Sequence, residues 1–507
     1  MADKKTNGRC YLVGAGPGDL GLVTLRARQL IERADVLVYD YLCNPEMLAW
    51  APEQAEIIYA GKKAGAHTLT QDEINALLVA KTGEGLEVVR LKGGDPFLFG
   101  RGGEEALALA EAKLAFEVVP GVTSAIAAPA YAGIPVTHRA ITSHVTFFTG
   151  HEDPEKTESS IDFPALAKLG GTQVMLMGVE RMEAIAQQMR ENGVREDLPV
   201  ALVRWGTTGR QKVIRGTLQN IAQRVAEENF EPPAVAVFGE VVSLGKELDW
   251  RAQLPLSGKR IVVTRTRKQA GALSDRLRDL GAEVIELPTI RIEPPSDLRA
   301  FAELVQDAHG YDWIVFTSPN GVSAFFEMFY KLYDDARDLG AARIAAIGSA
   351  TAQRVRDFHL KVDLQPAEFV AEAVVREFKK EGDIENLRIL IARTEEARDL
   401  LPRELGTLGA IVDVASAYRT VAETNDRTEA RARLAKEGAD MITFTSSSTV
   451  ENFLALGLPW PQGMQVASIG PITSQTARNR GLTIAVEARH YDVPGLVEAI
   501  GRFFSKH

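Results

Sequence analysis

Short apolar runs alternate with amphipathic stretches of helical length along most of the chain. Residues 11–13 and 36–39 are predicted to be buried parallel strands, with a helix over residues 22–34 between them. Further apolar runs lie at residues 87–91, 118–119, 145–149, 173–177, 199–203 and 234–238. Because one sheet of this width is uncommon, we predict two α/β lobes, of residues 8–145 and 146–248. The polar stretch at residues 152–160 is predicted to be a loop or hinge.

The pattern breaks at residues 249–257, where Pro255 interrupts the periodicity before a new strand at residues 260–264. We predict that residues 249–257 are a linker and that residues 258–507 are a second α/β region. That region repeats itself at an offset of 128 residues: IVVTR, LGAEV and FTS in the first copy match ILIAR, LGAIV and FTS in the second. One offset shared by three motifs implies two similar lobes, with a cleft between them as the expected ligand site.

Composition narrows the possible functions. Of 507 residues, 45% are hydrophobic and 25% are charged, which is typical of globular domains and excludes fibrous or disordered chains. The formal net charge of −10 argues against a nucleic-acid coat or a basic membrane-surface protein. Cys10 and Cys43 are too few for a disulfide framework or a cysteine metal cluster, so we expect reduced thiols and no metal. Without a signal-type or membrane-spanning apolar run, we expect a cytoplasmic protein with neither nucleic-acid nor membrane partners.

Two glycine-rich segments are candidates for ligand contact. GAGPGD at residues 14–19 follows a strand, and Asp40 ends the next strand, which is the spacing of a nicotinamide-dinucleotide site. Pro17 argues against that site because it removes an amide donor that a pyrophosphate needs, and a plain strand–helix turn is a further alternative. Residues 90–105, RLKGGDPFLFGRGGEE, contain more glycine than a turn needs and are predicted to contact a ligand. The turn at residues 120–124 is a candidate for a helix cap or for the same ligand.

Together these segments resemble the uroporphyrinogen-III C-methyltransferases of the tetrapyrrole methylase family, over residues 8–248. The resemblance is carried by the glycine–proline loop and by VYD, YAGK, GGDPF, PGVTS, MG, GTT, PA and GEVV, in that order along the chain. It implies a homodimer formed through this half and the transfer of two methyl groups from S-adenosylmethionine to uroporphyrinogen III. The product would be precorrin-2, made by way of precorrin-1. A later corrinoid substrate is the alternative within the family.

The resemblance also implies roles for individual residues. Asp40 and Lys62 match the family's proton acceptor and donor, with a loop cap and a substrate anchor as their respective alternatives. Arg101 and Arg139 are expected to bind the tetrapyrrole's carboxylates, because guanidinium groups suit them; Lys62 and its neighbour Lys63 are further candidates. The residues implied to contact S-adenosylmethionine are Pro17, Gly93, Gly94, Asp95, Leu98, Thr123, Ser124, Met177, Gly206 and Ala234. Asp95 is expected to bind the donor's ribose or amino group.

The second half resembles uroporphyrinogen-III synthase over residues 258–505. The resemblance is carried by DWIVFTSPNGV at residue 312, FTSSSTV at residue 444, IG in both copies of the repeat, and Tyr418. It implies one lobe of residues 258–290 plus 420–507, another of residues 291–419, and the closure of hydroxymethylbilane with inversion of ring D. Tyr418 matches the tyrosine proposed to assist the loss of hydroxide; a hydroxyl that only binds substrate is its alternative.

The small hydroxyl residues after the repeated strands complete the predicted synthase site. Thr317, Ser318, Ser446, Ser447 and Thr473 are expected to hold substrate acetate and propionate groups. A ligand-binding module without activity is the alternative for this half. Residues 1–7 leave no room for the dehydrogenase–ferrochelatase module of sirohaem synthases, so we expect the chain to stop at precorrin-2, a precursor of cobalamin and sirohaem.

Overall fold

The computed structural model describes residues 8–61, 69–151, 160–265, 267–366, 371–382, 384–397 and 399–505. The chain divides into two compact units. The first unit is Met1–Thr264, Gln269–Leu287 and Asn425–His507, and the second unit is Arg265–Lys268 and Pro288–Thr424. The described residues form four five-stranded sheets with helices. In these residues we find no helix with the length and apolar character that crossing a bilayer requires.

The first sheet consists of β1 (Arg9–Gly14), β2 (Val36–Tyr39), β3 (Glu56–Tyr59), β4 (Glu87–Lys92) and β5 (Ala115–Val119). All its strand pairs are parallel, in the order β3-β2-β4-β1-β5. Its helices are α1 (Leu25–Ile31), α2 (Gln71–Gly83), α3 (Gly102–Glu111) and α4 (Ser124–Tyr131). Alternate residues of the strands enter separate cores on the two faces of the sheet, with Val13 in one core and Leu12 in the other. The predicted buried parallel strands are confirmed.

Helix α1 is shorter than the helix predicted over residues 22–34. The Thr24 side chain accepts a hydrogen bond from the Ala27 amide and caps the helix, which begins at Leu25. Residues Leu20–Leu22 form a separate 3-10 turn capped by Asp19. The apolar periodicity continues across both caps, so it could not locate the boundary between them.

The second sheet consists of β6 (Val145–Thr149), β7 (Thr172–Leu176), β8 (Pro199–Arg204), β9 (Lys212–Thr217) and β10 (Ala234–Phe238). In the order β6-β7-β10-β8-β9, only β6 and β7 pair in parallel. Its helices are α5 (Phe163–Leu169), α6 (Met182–Glu191) and α7 (Ile221–Glu227). No apolar run in the sequence predicted β9. Most of the predicted hinge at residues 152–160 lies outside the described residues.

The second half of the chain contributes β11 (Arg260–Val263), β12 (Glu283–Glu286), β13 (Ile290–Glu293), β14 (Trp313–Phe316), β15 (Arg343–Ala346), β16 (Arg388–Thr394), β17 (Ile411–Ala422), β18 (Met441–Phe444), β19 (Gln465–Ser468) and β20 (Val486–Glu487). The third sheet has the order β12-β11-β18-β19-β20, and the fourth has the order β13-β17-β16-β14-β15. The helices are α8 (Arg267–Asp279), α9 (Leu298–Gln306), α10 (Pro319–Leu332), α11 (Ser349–Asp357), α12 (Ala371–Glu381), α13 (Leu400–Thr407), α14 (Ala430–Glu437), α15 (Ser447–Ala455), α16 (Pro471–Asn479) and α17 (Val493–Phe504).

The sequence repeat is divided between the third and fourth sheets. The first copy contains β11, β12, β14 and β15 in this order, with β13 between β12 and β14, and in the second copy β16, β17, β18 and β19 take the places of the four. The third sheet contains β12-β11-β18-β19 and the fourth contains β17-β16-β14-β15, in the same order. Each sheet therefore combines the first two strands of one copy with the last two strands of the other. The predicted internal duplication is present, with its halves exchanged.

The segment predicted to be a linker packs closely against its neighbours. Trp250 donates a hydrogen bond through Nε1 to the Ala130 carbonyl at 3.2 Å, and its ring lies edge-on to Tyr131 at 5.1 Å. Leu256 is fully buried in a core of the third sheet. Residues 249–258 form turns without helix or strand. These contacts hold both ends of the segment within the first unit.

Candidate active sites

Three loops meet where β4, β1 and β5 end, and these strands are neighbours in the first sheet. Gly16 and Gly94 exchange two backbone hydrogen bonds, with N···O distances of 2.8 and 3.2 Å. A Cβ atom built on Gly14 or Gly121 would lie within 3 Å of the other residue's backbone, so only glycine permits this approach. Ligands in parallel α/β sheets bind at this end of the strands. The glycine loops predicted to contact a ligand therefore lie side by side.

Asp95 organises these loops through its carboxylate. One oxygen accepts hydrogen bonds from the amides of Phe97 and Leu98 at 2.8 and 3.1 Å, and the other accepts from the Gly121 amide at 3.0 Å. The carboxylate thus ties the turn after β5 to the loop after β4. These three hydrogen bonds occupy most of the roughly four acceptor sites of a carboxylate. The expected contact of Asp95 with the methyl donor stays a prediction.

The second sheet brings together three more residues that are predicted to contact the methyl donor, at one end of its central strands. Strand β10 pairs with both β7 and β8 in antiparallel register, so its first residue, Ala234, lies beside the ends of those two strands. Met177 follows β7 and is 51% exposed, with a positive φ of 56°. Gly206 follows β8, and a Cβ atom there would lie 2.4 Å from the Ala128 side chain. These are small or soft groups that a bulky, uncharged ring can approach.

The loop after β8 is bonded to the first glycine loop. The Asp19 amide donates a hydrogen bond to the Thr207 hydroxyl at 3.1 Å, and the Tyr131 hydroxyl donates to the Asp19 carboxylate at 2.8 Å. Thr123 accepts a hydrogen bond from the Ala125 amide and so caps α4, which is the alternative role that the sequence gave to this turn. Ser124 begins the helix. The two sheets therefore present their predicted donor-binding loops to each other within the first unit.

Asp40 lies in the wall of a cavity of about 430 Å³, together with Tyr41, Leu42 and Gly61. Its Oδ1 accepts a hydrogen bond from the Leu42 amide at 3.1 Å, so it does cap its loop. A Cβ atom on Gly93 would lie 2.6 Å from the Leu42 Cβ, so the cavity borders the predicted donor loops. Cys43, a buried free thiol as predicted, lies 3.4 Å from the same Asp40 oxygen.

Asp40 is the first of four side chains of alternating charge, followed by Arg90, Glu105 and Lys92. Its Oδ2 lies 3.6 Å from Nη2 of Arg90, and Arg90 Nε donates to Glu105 at 3.1 Å. Glu105 is fully buried and also accepts a hydrogen bond from Lys92 Nζ at 2.7 Å. Burial lowers the pKa of Lys92 below its ordinary value. Cys10, the second buried free thiol, lies near this network, and burial raises its pKa to about 12.

Two of the cations predicted to bind substrate carboxylates, Arg101 and Arg139, lie in the described part of the chain. Arg101 precedes α3 with a φ of 60°, and its mostly exposed side chain donates to Glu104 at 3.0 Å. Arg139 is exposed in the turn between α4 and β6. Lys62 and Lys63 follow Gly61 and lie outside the described residues.

Tyr418 is buried in the second unit beside two of the predicted substrate-binding residues. Its hydroxyl shares a hydrogen bond of 2.9 Å with Ser318 Oγ, which also accepts from the Gly321 amide and caps α10. The Thr317 amide donates to the Ala392 carbonyl at the end of β16. Burial raises the pKa of Tyr418, so the phenol is protonated at neutral pH and can donate a proton.

Equivalent hydroxyl residues lie in the third sheet. Ser446 caps α15 as Ser318 caps α10, at the repeat offset. Ser447 Oγ lies 2.7 Å from the Thr476 hydroxyl, and Thr473 is buried on the first turn of α16. Each predicted hydroxyl residue therefore lies at the start of a helix that follows a parallel strand. In each sheet these positions can offer amide and hydroxyl donors to carboxylates.

Some residues that support these sites had no role predicted from the sequence. Asp19, Tyr131 and Thr207 connect the loops through contacts distant in sequence; Asp19 and Thr207 lie in the quoted motifs GAGPGD and GTT, but a motif does not show which side chains bond to one another. Arg90 and Lys92 did carry a signal, because they occupy alternate positions of an otherwise apolar strand and so share one face. In the described residues, no group of three or more His, Cys, Asp or Glu side chains has the arrangement of a metal site.

The first two sheets and the last two sheets each carry glycine-rich or polar loops at the ends of their strands. The chain therefore contains two ligand-binding α/β domains. Residues 9–222 match the family "Tetrapyrrole (Corrin/Porphyrin) Methylases", and residues 271–498 match "Uroporphyrinogen-III synthase HemD". The chain belongs to both families and is a bifunctional enzyme with a methyltransferase domain and a uroporphyrinogen-III synthase domain.

Individual relatives cover the whole chain or its first half. The "Porphyrin biosynthesis protein HemD" of Ruminiclostridium josui is 37% identical and covers 95% of each chain. The "S-adenosyl-L-methionine-dependent uroporphyrinogen III methyltransferase" of Methanosarcina barkeri is 56% identical over 47% of this chain and 93% of its own. A solved structure of uroporphyrin-III C-methyl transferase from Thermus thermophilus, complexed with S-adenyl homocysteine, is 39% identical, with a TM-score of 0.40, and covers 47% of this chain and all of that one.

Proposed function

We propose that this chain closes hydroxymethylbilane to uroporphyrinogen III with inversion of ring D and then methylates that product twice. The products would be precorrin-1 and then precorrin-2. The observation that carries the proposal is the union, in one chain, of the synthase domain with a methylase domain whose uroporphyrinogen-III-specific relative is 56% identical. A synthase makes the substrate that such a methylase consumes.

The methyl donor is S-adenosylmethionine, which supplies an electrophilic methyl group when it is bound. The converging loops fit an adenosyl sulfonium. This ligand has no phosphate, so it does not need the amide N–H that Pro17 lacks, and Met177 offers it an exposed, polarisable side chain. The ten predicted contact residues hold and orient it, and Asp95 fixes the loops around it. The tetrapyrrole's carboxylates are bound by Arg101 and Arg139. As in its family, the methylase half would form a homodimer.

In the methylase domain Asp40 accepts the proton that the macrocycle loses once its carbon is methylated. Three features support this role: Asp40 borders a cavity, the cavity borders the donor loops, and Arg90 lies behind the carboxylate. The ion pair with Arg90 orients the Asp40 carboxylate toward the cavity side of its loop. Lys62 is proposed as the proton donor in the same reaction.

In the synthase domain Tyr418 donates a proton to the hydroxyl that leaves hydroxymethylbilane as water. The remaining cation then closes through a spiro intermediate, and the protein's main contribution is to hold its geometry. Support comes from the buried, protonated phenol and its hydrogen bond with Ser318. Thr317, Ser318, Ser446, Ser447 and Thr473 bind the acetate and propionate groups.

The test gives the purified full chain hydroxymethylbilane under anaerobic conditions, with and without S-adenosylmethionine. We expect uroporphyrinogen III without the donor and precorrin-2 with it, both identified by chromatography and mass spectrometry. Uroporphyrinogen I alone, together with no methylation of supplied uroporphyrinogen III, would contradict the proposal.

The same assay isolates Asp40. Asp40→Asn should slow methylation by about 100-fold or more, because a general base contributes at least that much, while the yield of uroporphyrinogen III stays unchanged. Asp197→Asn removes an exposed carboxylate from the same domain and serves as the matched control. Equal methylation rates in both variants would exclude Asp40 as the base.

A further inference from the structure

A cavity distinct from the Asp40 cavity lies where residues 249–258 pass the methylase domain. Its volume is about 220 Å³, and its wall includes Thr208, Gln211, Arg215, Asp249, Arg251 and Ser257. All of these residues belong to the first unit. The volume is too small for a macrocycle and suits a small polar group.

Arg251 is the unusual member of this wall. Its side chain is only 7% exposed, yet among the described residues it has neither a hydrogen bond nor an ion pair. Its guanidinium lies 5.4 Å from the Tyr131 ring centroid. The nearby Asp19 carboxylate accepts hydrogen bonds from the Gly21 amide and the Tyr131 hydroxyl instead. A buried cation without a hydrogen-bonded anion is costly, and burial lowers the pKa of Arg251.

The second arginine in the wall is only partly satisfied. Arg215 Nη2 donates to the Ala132 carbonyl at 2.9 Å and lies 3.5 Å from Asp249, but its buried Nε has no partner in the described chain. The other oxygen of Asp249 accepts a hydrogen bond from the Ala252 amide. Asp249 and the nearby Asp19 balance the two arginines in formal charge, but neither carboxylate is hydrogen-bonded to Arg251 among the described residues.

We propose that this cavity binds the carboxylate of a small monoanion, with Arg251 as its partner. The unpaired guanidinium of Arg251 faces the cavity, and a guanidinium fork matches the two oxygens of a carboxylate. A phosphate dianion is disfavoured because Asp249 lies in the same wall. Acetate and propionate have the size and charge that the cavity requires.

The site is linked to the methyl-donor loop. Gln211 lines the cavity, its Oε1 accepts a hydrogen bond from the Thr207 amide, and Thr207 in turn accepts one from the Asp19 amide. The wall that contains Arg251 therefore includes a side chain, Gln211, that is bonded to the loops predicted to bind the methyl donor. The source of the bound carboxylate is either a free small carboxylate or an acetate or propionate arm of a tetrapyrrole; the second source rests on the proposed function.

The test titrates the full chain with ¹³C-labelled propionate at constant ionic strength and follows the ligand by NMR. Propionamide is the neutral control of the same shape. We expect saturable binding of propionate and at least tenfold weaker binding of propionamide. Equal binding of the two, or no saturable binding, would overturn the proposal whether or not the chain methylates anything. Displacement of propionate by uroporphyrin III would identify the tetrapyrrole as the source, and retention would identify a free carboxylate.

Variants locate the site. Arg251→Gln should weaken propionate binding at least tenfold, and Arg251→Lys should retain part of it because the charge remains. Arg195→Gln, which removes an arginine paired with Asp197 and Glu240 in the same domain, is the control and should bind propionate normally. Thermal unfolding confirms that each variant is folded. If folded Arg251→Gln binds propionate as the wild type does, Arg251 is not the partner.

Discussion

Burial at Tyr418 prepares its hydroxyl for chemistry. The ring lies in the core of the fourth sheet, while the hydroxyl reaches the cap of α10 and shares a hydrogen bond with Ser318. Burial disfavours the phenolate, so the proton stays on oxygen over the neutral pH range. A substrate hydroxyl near the start of α10 would meet a donor held in position.

Tyr418→Phe should therefore lower kcat for ring closure by about 100-fold and change KM much less, since the hydroxyl residues proposed to bind the substrate's carboxylates are all retained. The assay measures the initial rate and the ratio of uroporphyrinogen III to uroporphyrinogen I. Tyr311→Phe is the matched control, because it removes another buried tyrosine hydroxyl, which donates to Asp413 at 2.8 Å in the same unit. A rise in KM alone would assign Tyr418 to substrate binding.

The sequence could predict single residues only where a motif carried them. Asp40, Ser318 and Tyr418 all belong to segments with a family resemblance, and the structure gives each of them a cavity or a polar partner. Arg251 belongs to no motif, and Tyr131 begins the segment YAGIPVTHR, which gave it no role. Their importance comes from packing between segments more than 100 residues apart, which a local pattern does not contain.

At the scale of elements, strand β4 and helix α3 are joined by a charge network inside the protein. Arg90 and Lys92 project from one face of β4, and Glu105 of α3 bonds to both. Each of the three side chains is at most 4% exposed. Lys92 has Glu105 as its carboxylate partner. Among the described carboxylates Arg90 has only the 3.6 Å contact with Asp40 besides Glu105, so removal of the Glu105 charge leaves both cations poorly compensated.

Glu105→Gln should lower the stability of the methylase domain by about 3–5 kcal/mol, the usual cost of breaking a buried ion pair on one side. Differential scanning calorimetry of the full chain measures the effect as a lower Tm of the first affected transition. Glu104→Gln, which removes the neighbouring exposed carboxylate paired with Arg101, should change Tm little. Similar shifts in the two variants would show that the buried network contributes no special stability.

The sequence predicted most strands but not their boundaries or every partner. Apolar runs identified β1, β2, β4, β7, β8 and β10, because these strands are buried on both faces. It missed β3 and β9, whose half-buried residues are mixed with charged ones. Both are edge strands of their sheets, where one side lacks a neighbour and polar residues are tolerated. The exchange of repeat halves was predictable only through the family resemblance.

At the scale of the whole molecule, the methylase domain is bonded to the third sheet within the first unit. Arg427 donates to the Pro52 carbonyl at 2.8 Å, and Arg210 lies 3.4 Å from Glu283. Arg278 of α8 pairs with Glu46 and, at 3.1 Å, with Glu286. Glu46 is buried, and its partner comes from the other domain. A protonation change at Glu46 would therefore act on the contact between the two domains.

Burial raises the pKa of Glu46 to about 7, although Arg278 opposes the shift. In the unfolded chain the pKa is near its ordinary value of 4.5, so the folded state binds the extra proton between those two values. The contribution of Glu46 to the free energy of unfolding is therefore fully present below pH 4.5. It falls by about 3 kcal/mol in total as the pH rises through 7.

Glu46→Gln mimics the protonated acid at every pH and leaves Arg278 its bonds to Glu286 and Asp275. Its Tm should therefore nearly equal that of the wild type at pH 5 and exceed it increasingly up to pH 8. Scanning calorimetry at matched ionic strength measures this difference, with Glu32→Gln, which removes an exposed carboxylate paired with Arg28, as the control. A variant less stable than the wild type at pH 8 would mean that the charged pair with Arg278 outweighs the burial of Glu46. The contact between the domains would then strengthen, not weaken, as the pH rises.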